Sequence, residues 1–216
     1  MGEDKAGRGK SGSLWGRDYN LPNNRGWNPR CAASNEITIA GVDLGAGRSP
    51  TVLAIATTRS LHERRQSIIL ESYEHPWDAI ESMLREKASL VAVDAPLYPP
   101  KGRGLRKVEK ILAENTGTPL LPCSFRGMAK LCLLGVSIRN LLEEAGVYVL
   151  ETYPAAAARR CGLPRPRRRP FRDICDARIA LAAAFSECTG RSYRVCAGRE
   201  CIVLPDCDIL VELCKP

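Results

Sequence analysis

The sequence predicts an α/β fold in which a mixed sheet is flanked by helices. Three apolar runs have the composition of strands buried on both faces, and each run ends on a single acid. These runs are residues 37–43 (ITIAGVD), 90–94 (LVAVD) and 147–151 (VYVLE). A D-x-x-D pair, Asp173 and Asp176, follows on a predicted helix. Because chemistry in open α/β sheets gathers outside the carboxyl ends of the strands, these acids mark the candidate site.

The first half of the chain is predicted to begin with three short strands and to continue with a crossover. Strands are expected over residues 36–43, 51–58 and 67–72, and the short links between them favour an antiparallel meander. Apolar residues at helical spacing over 77–87 then precede the strand 90–94. A strand–helix–strand succession of this kind indicates a parallel crossover connection.

The second half of the chain is predicted to be mainly helical. One strand, 147–151, lies among the helices, and a hairpin about Gly198 closes the domain by pairing 193–196 with 201–204. The longest predicted helix could be interrupted near Gly135. The predicted helices cover residues 105–115, 126–145, 154–160 and 173–188.

Length and composition indicate one domain with a tail. The 216 residues suit a single domain over 35–216, preceded by a basic arm over 1–34 that lacks hydrophobic periodicity and is expected to be flexible. No apolar run reaches the roughly 18 residues that a membrane span needs. The first dozen residues also lack the apolar core of a secretory signal, so we expect a cytoplasmic protein.

The net charge of +8 is concentrated in two basic segments. The first contains Arg159, Arg160, Arg165, Arg167, Arg168, Arg169 and Arg172. The second contains Lys101, Arg103, Arg106, Lys107 and Lys110. Both segments follow acid-tipped strands, and clustered cations attract phosphate backbones, so nucleic acid, DNA or RNA, is the expected partner. A solvated face that only keeps the protein soluble is the alternative.

Ten cysteines are many for an intracellular chain of this size. The absence of any C-x-x-C pair argues against a structural zinc site. Cys196 and Cys201 could face each other across the closing hairpin. Intracellular proteins of hyperthermophiles are rich in disulfides, and the composition is compatible with such a thermophilic source.

Five motifs in order resemble the family catalogued as domain of unknown function 429, whose members are described as predicted nucleases with a ribonuclease H-like fold. The resemblance spans about residues 36 to 206. Arg178 and the basic, Pro-rich insert at 164–170 depart from the family pattern. The motifs are GVDLG at 41–45, VDAPL at 93–97 followed by Gly102 and Arg103, ETYPAA at 151–156, DARIALAAA at 176–184 and CIVLP at 201–205.

The resemblance implies a ribonuclease H-like sheet in the order 3-2-1-4-5 and a metal-dependent nuclease active on phosphodiester bonds. Asp43, Asp94 and Asp176 are the expected ligands of Mg²⁺ or Mn²⁺, because hard cations prefer oxygen ligands. Glu151 and Asp173 would be further catalytic residues that bind metal or orient water. Phosphates would be held by Arg103, Arg106, Arg165, Arg167, Arg168 and Arg169.

Each acid also has an ordinary structural interpretation. Asp43 could cap the turn through Gly45, and Asp94 could be a turn residue before a proline. Glu151 could be a salt-bridge partner of the arginine cluster. Asp173 could be a helix N-cap, where Asp is favoured.

Two other functions are compatible with the same pattern. Actin-like kinases share the fold, and DLGAG at 43–47 resembles their first phosphate loop, but those enzymes need two copies of the fold. A non-catalytic nucleic-acid-binding protein would use the arginine segments without the acids. ATP binding would favour the first alternative, and binding without metal-dependent cleavage would favour the second.

Overall fold

Seven strands and seven helices form the part of the chain that the computed structural model describes. That part comprises residues 36–47, 49–63, 67–100 and 102–214, and the predicted arm over 1–34 lies outside it. The strands are β1 (Thr38–Asp43), β2 (Thr51–Thr57), β3 (Ile69–Tyr73), β4 (Leu90–Asp94), β5 (Tyr148–Glu151), β6 (Tyr193–Ala197) and β7 (Glu200–Leu204). The helices are α1 (Thr58–His62), α2 (Pro76–Arg85), α3 (Lys107–Thr116), α4 (Arg126–Glu144), α5 (Pro154–Arg160), α6 (Phe171–Cys188) and α7 (Cys207–Leu213). None of these helices combines the length and the apolar character that crossing a membrane requires.

All seven strands belong to one mixed sheet in the order β3-β2-β1-β4-β5-β7-β6. The central strand β1 is antiparallel to β2 and parallel to β4. The first five strands lie in the predicted order, but the prediction of a five-stranded sheet with a separate hairpin is wrong. β7 pairs in parallel with β5 at Glu151 and Ile202, so the hairpin extends the sheet. This pairing covers the edge of β5, which would otherwise present unpaired backbone groups.

Most predicted elements are present, and the differences concern glycine and short helices. α4 runs without a break through Gly135, where an interruption was expected. A Cβ atom at Gly135 would lie only 2.5 Å from the Pro96 carbonyl oxygen, so this glycine serves close packing on the loop after β4. The short helices α1 and α7 were not predicted, because five to seven residues carry too little periodicity.

Helices cover both faces of the sheet and create two cores. On one face, α1, α3, α5, α6 and α7 pack against side chains such as Ile39 of β1 and Leu150 of β5. On the other face, α2 and α4 pack against Val42 and Val93. β1 and β4 therefore contribute to both cores, which explains their nearly uninterrupted apolar sequences.

Within the described residues, three disulfides tie loops and helix ends to this frame. Cys161 and Cys207 join the end of α5 to the start of α7, and Cys123 and Cys132 join a loop to α4. The expected pairing across the closing hairpin is confirmed, since Cys196 and Cys201 are opposite each other in the register of β6 and β7 and form a disulfide.

Helix α6 crosses the central strand β1 at Gly41, where the two backbones are in direct contact. A Cβ atom at Gly41 would lie 2.0 Å from the Leu181 backbone nitrogen and 2.4 Å from the Ala177 carbonyl oxygen. A side chain cannot fit between these atoms, so only glycine allows α6 to lie this close. Gly41 shares one face of β1 with Asp43, because residues two apart on a strand point the same way. The crossing therefore brings the start of α6 to the Asp43 carboxylate.

We expect Gly41→Ala to lower the free energy of unfolding by about 3 kcal/mol or more, the upper end of the range for overpacking. The atoms that the new methyl group meets are backbone atoms, which cannot move aside as a flexible side chain can. Gly104→Ala is the matched control, because its Cβ atom would meet nothing within 4 Å. Denaturant unfolding of both variants measures the difference. Equal stability of the two variants would show that the α6–β1 contact is not as tight as described.

Candidate functional site

Two of the predicted acids lie side by side at the ends of neighbouring parallel strands. In the register of β1 and β4, Asp43 is the partner of Asp94. Partner residues on adjacent strands are roughly 5 Å apart and point to the same face of the sheet. The turn after β1 does not need Asp43 as its cap, since the Gly45 amide donates a hydrogen bond to the Thr51 hydroxyl at 3.1 Å. The Asp43 carboxylate therefore has no part in that hydrogen bond.

Helix α6 adds a third carboxylate to this pair. Oxygen atoms of Asp43, Asp94 and Asp176 all lie within 4.8 Å of one another. Asp173 is one turn earlier on α6 and is also buried. The N-cap residue of α6 is Pro170, and Asp173 lies within the first turn of the helix. Asp173 is therefore not the N-cap that the sequence allowed. The structure thus brings together the three acids expected to bind metal and places Asp173 near them.

The electrostatics of the cluster favour the protonated form of its acids. Burial raises the pKa of Asp43 to about 7, and the neighbouring Asp176 and Asp173 carboxylates contribute to the increase. Burial also raises the pKa of Asp94, and the Asp43 and Asp176 carboxylates raise it further. The pKa of Asp176 is raised by burial as well, although Arg165 opposes the shift. Like charges in a poorly solvated place cannot all ionise without a compensating cation.

Arginines from the segment before and within α6 supply part of that compensation. Arg165 donates two hydrogen bonds to Asp176, one from its Nε atom to Oδ1 at 2.5 Å. The Nε atoms of Arg169 and Arg172 lie 3.2 Å and 3.4 Å from the Asp173 carboxylate. Arg169 also donates a hydrogen bond to the Ser49 hydroxyl. The basic segment therefore lies over the acid cluster.

The donor set fits a divalent metal ion. Three carboxylates that each offer an oxygen to one point are the hard ligands that Mg²⁺ and Mn²⁺ prefer. The Oδ2 atom of Asp173 is buried and accepts no hydrogen bond, although the Arg169 Nε atom lies 3.2 Å from it as an ion-pair partner. Asp176 could bind a metal ion only if Arg165 released at least one of its oxygens.

Glu151 and Arg106 bind each other and are not among the three converging carboxylates, although the Glu151 carboxylate is near enough to contribute to the raised pKa of Asp94. The register pairs Glu151 with Val93 instead of Asp94, so Glu151 points to the opposite face of the sheet from Asp94. Both side chains are only 4% exposed and are joined by two hydrogen bonds. Glu109 also accepts hydrogen bonds from Arg106. A phosphate could reach Arg106 only by displacing a buried carboxylate, so its placement does not favour the expected phosphate contact.

The remaining basic residues of the prediction are on the surface. Arg103, Arg167, Arg168 and Arg169 are exposed, whereas Arg165 is half-buried. Of the exposed four, Arg169 is engaged with Ser49 and Asp173. Arg167 and Arg168 lie in the chain between Arg165 and Arg169, which both contact acids of the cluster.

Tyr153 belongs to the site but was not identified from the sequence. It is the second residue after β5, and burial together with the nearby Asp94 carboxylate raises the pKa of its phenol to about 12. Its hydroxyl therefore keeps its proton at any physiological pH. The residue lies in the ETYPAA motif at 151–156, two residues after a predicted strand end. That position was the feature of the sequence that could have identified it as a site residue.

Comparison of the chain with protein-family models and with curated proteins finds no match.

We expect the Asp43 carboxyl of the metal-free protein to titrate with a midpoint near 7. Between its ordinary pKa of 3.8 and this value, the folded state holds the proton more tightly than the unfolded state does. Stability from this group therefore falls as the pH rises through that window. Asp43→Asn should raise the melting temperature at about pH 8 and have little effect near pH 4.

Carbon-detected NMR of the side-chain carboxyls, with melting curves across the pH range, measures both effects. Asp78→Asn is the control, since Asp78 is exposed on α2 at the other face of the sheet. An Asp43 midpoint at the ordinary value would contradict the shared acid cluster.

Proposed function

We propose that this protein is a metal-dependent nuclease that hydrolyses phosphodiester bonds in nucleic acid. The observation that carries the proposal is the convergence of Asp43, Asp94 and Asp176 at the carboxyl ends of β1 and β4. Arg167 and Arg168 are exposed in the segment whose Arg165 and Arg169 contact the acids, and they add the charge that a phosphate backbone needs.

The proposed assignment gives each residue a separate task. Asp43, Asp94 and Asp176 hold Mg²⁺ or Mn²⁺, which would supply charge stabilisation and water activation for phosphodiester hydrolysis. The Asp173 carboxylate, which is ion-paired with Arg169 but accepts no hydrogen bond at Oδ2, would orient the attacking water. Arg165 leaves Asp176 and turns to the scissile phosphate. Arg106 and Glu151 stabilise the fold through their buried ion pair.

We further propose that the fold is of the ribonuclease H-like type and that the chain is related to the family of domain of unknown function 429. The order of the first five strands, with only β1–β2 and β2–β3 antiparallel among them, supports this. The placement of two acids on β1 and β4 and of others on a later helix agrees with the same fold type. The hairpin that extends the sheet is an addition to the five-stranded arrangement.

We also propose that the protein acts in the cytoplasm. Nucleic acid is present there, and the basic segment would bind it. Three disulfides are unusual in that compartment, although intracellular proteins of hyperthermophiles are a known exception.

Replacing Asp43 tests the proposed activity. We expect cleavage of single-stranded, duplex, hybrid or branched substrates in Mg²⁺ or Mn²⁺, and a loss of at least about 100-fold in Asp43→Asn, because the metal loses a charged ligand. Asp78→Asn should keep full activity. Metal-independent cleavage, or ATP binding without cleavage, would contradict the proposal; binding of nucleic acid without cleavage by the wild type would favour the non-catalytic alternative.

Replacing Arg165 tests its competition with metal. We expect Arg165→Gln to raise the affinity for Mg²⁺ by about 10-fold in the absence of substrate, the value of one charge-assisted hydrogen bond. The same variant should bind nucleic acid more weakly. Calorimetric titration and the metal-induced rise of the melting temperature measure the first effect. Arg167→Gln is the control, and an equal effect of the two variants would show that only net charge matters.

Replacing Arg167 and Arg168 tests the phosphate contacts. We expect the double change to Ala to flatten the dependence of log affinity on log salt by about 1.4 to 1.8, or 0.7 to 0.9 for each lost contact. Metal binding should persist, because the acids are unchanged. The control removes two exposed arginines at the opposite end of the sheet, Arg59 and Arg85. An unchanged slope in the double variant would assign the segment to solubility alone.

A further inference from the structure

A cavity of about 180 Å³ lies beside the acid cluster and has no part in the function proposed so far. Asp94 and Arg165 line it on the side of the cluster. Two buried acids of the Arg106 ion pairs, Glu109 and Glu151, line it as well. The other lining residues are mainly apolar and include Leu121, Met128 and Tyr153.

The charges around the cavity exclude a further phosphate besides the scissile phosphate that is proposed to lie at the acid cluster. Glu109 and Glu151 share the single guanidinium of Arg106, so this group of three carries a net negative charge. A phosphate placed against it would meet repulsion in a poorly solvated place. The apolar lining provides no replacement for the water that an ion would lose. An anion is therefore excluded, and the apolar majority of the lining favours a neutral group.

The size of the cavity limits the occupant further. Pockets that enclose drug-sized ligands are usually about 300 Å³ or larger, so this one holds a single small ring system. Tyr153 offers an aromatic surface, and Leu121, which is 52% exposed, adds an apolar surface at the cavity. Aromatic and apolar side chains on which a ring can stack are what proteins use to hold an unpaired base.

We propose that this cavity binds one unstacked nucleobase of the nucleic-acid substrate. The phosphate next to that base would lie at the acid cluster. The inference rests on the proposed function and specifies its substrate. The oxygens of Glu109 and Glu151 are already bonded to Arg106 and to the Leu97 amide, so these acids shape the cavity and set its charge. The Tyr153 hydroxyl is the group of the lining that would donate a hydrogen bond to the base. Arg165 lies at the border of the two sites and contacts the phosphate between them.

A base in this cavity cannot remain stacked and paired in a duplex. The substrate must therefore contain an unpaired nucleotide at the cleavage position, as single strands, loops and branched junctions do. A continuous duplex must first unstack that base and is a poor substrate.

A binding experiment with fluorescent oligonucleotides tests the cavity directly. Single strands of DNA and of RNA carry 2-aminopurine at successive positions, and the full chain is added in Ca²⁺ to limit cleavage. We expect a fluorescence change at one position only. Removing the base at that position should weaken binding about 10-fold, as expected for the loss of one stacked base, and removal elsewhere should have little effect.

Variants of the lining separate the cavity from the rest of the surface. Ala155→Phe, from a lining residue of α5, should fill the cavity and weaken wild-type oligonucleotide binding about 10-fold. It should have no additional effect on the oligonucleotide that lacks the base. Leu121→Ala should weaken binding less, by about 3-fold. Leu133→Ala is the matched control, because Leu133 is 72% exposed and does not line the cavity.

The outcomes distinguish this inference from the proposed activity. If base removal and Ala155→Phe leave affinity unchanged while metal-dependent cleavage persists, the base site is wrong and the nuclease stands. If one position responds and the variants behave as expected but no substrate is cleaved, the base site stands and the nuclease is wrong. Equal binding and cleavage of a continuous duplex and a single strand would overturn the base site.

Discussion

The direct contact between α6 and β1 at Gly41 determines where the candidate site is. Without a side chain at that position, the α6 backbone lies on the central strand, and the helix is buried on nearly all sides between the sheet and its neighbouring helices. The first turns of the helix then reach the carboxyl ends of β1 and β4. Acids near a helix N-terminus interact favourably with the helix dipole, which partly offsets the burial of Asp173 and Asp176.

The acid cluster and the arginine segment form one electrostatic unit. Burial raises the pKa of Asp43, Asp94 and Asp176. The three carboxyl groups are therefore stabilised by holding protons or by a nearby cation. Arg165 provides one such cation from within the chain. In the proposed function, a metal ion and Arg165 would be alternative partners of Asp176, and metal binding would release the guanidinium toward the phosphate of the substrate.

Arginines in this chain have opposite roles that depend on their surroundings. Arg106 is buried, caps α3 and binds Glu151, so it joins that helix to β5. A buried guanidinium is tolerated only when carboxylates satisfy its hydrogen bonds, as Glu109 and Glu151 do here. Arg167 and Arg168 are exposed and free to meet a phosphate backbone. Both kinds occur in segments that look equally basic in the sequence.

The sequence by itself determined the bounds of most strands and helices, and β4 and α5 are as predicted. Apolar runs and helical spacing are local patterns that report burial, so they identify elements and the acids at their ends. Only the tertiary structure decided which acids meet: the register pairs Asp43 with Asp94 but Glu151 with Val93. It also decided that β7 extends the sheet and that Arg106 is buried. Register and pairing depend on contacts between residues far apart in the chain, which no local pattern encodes.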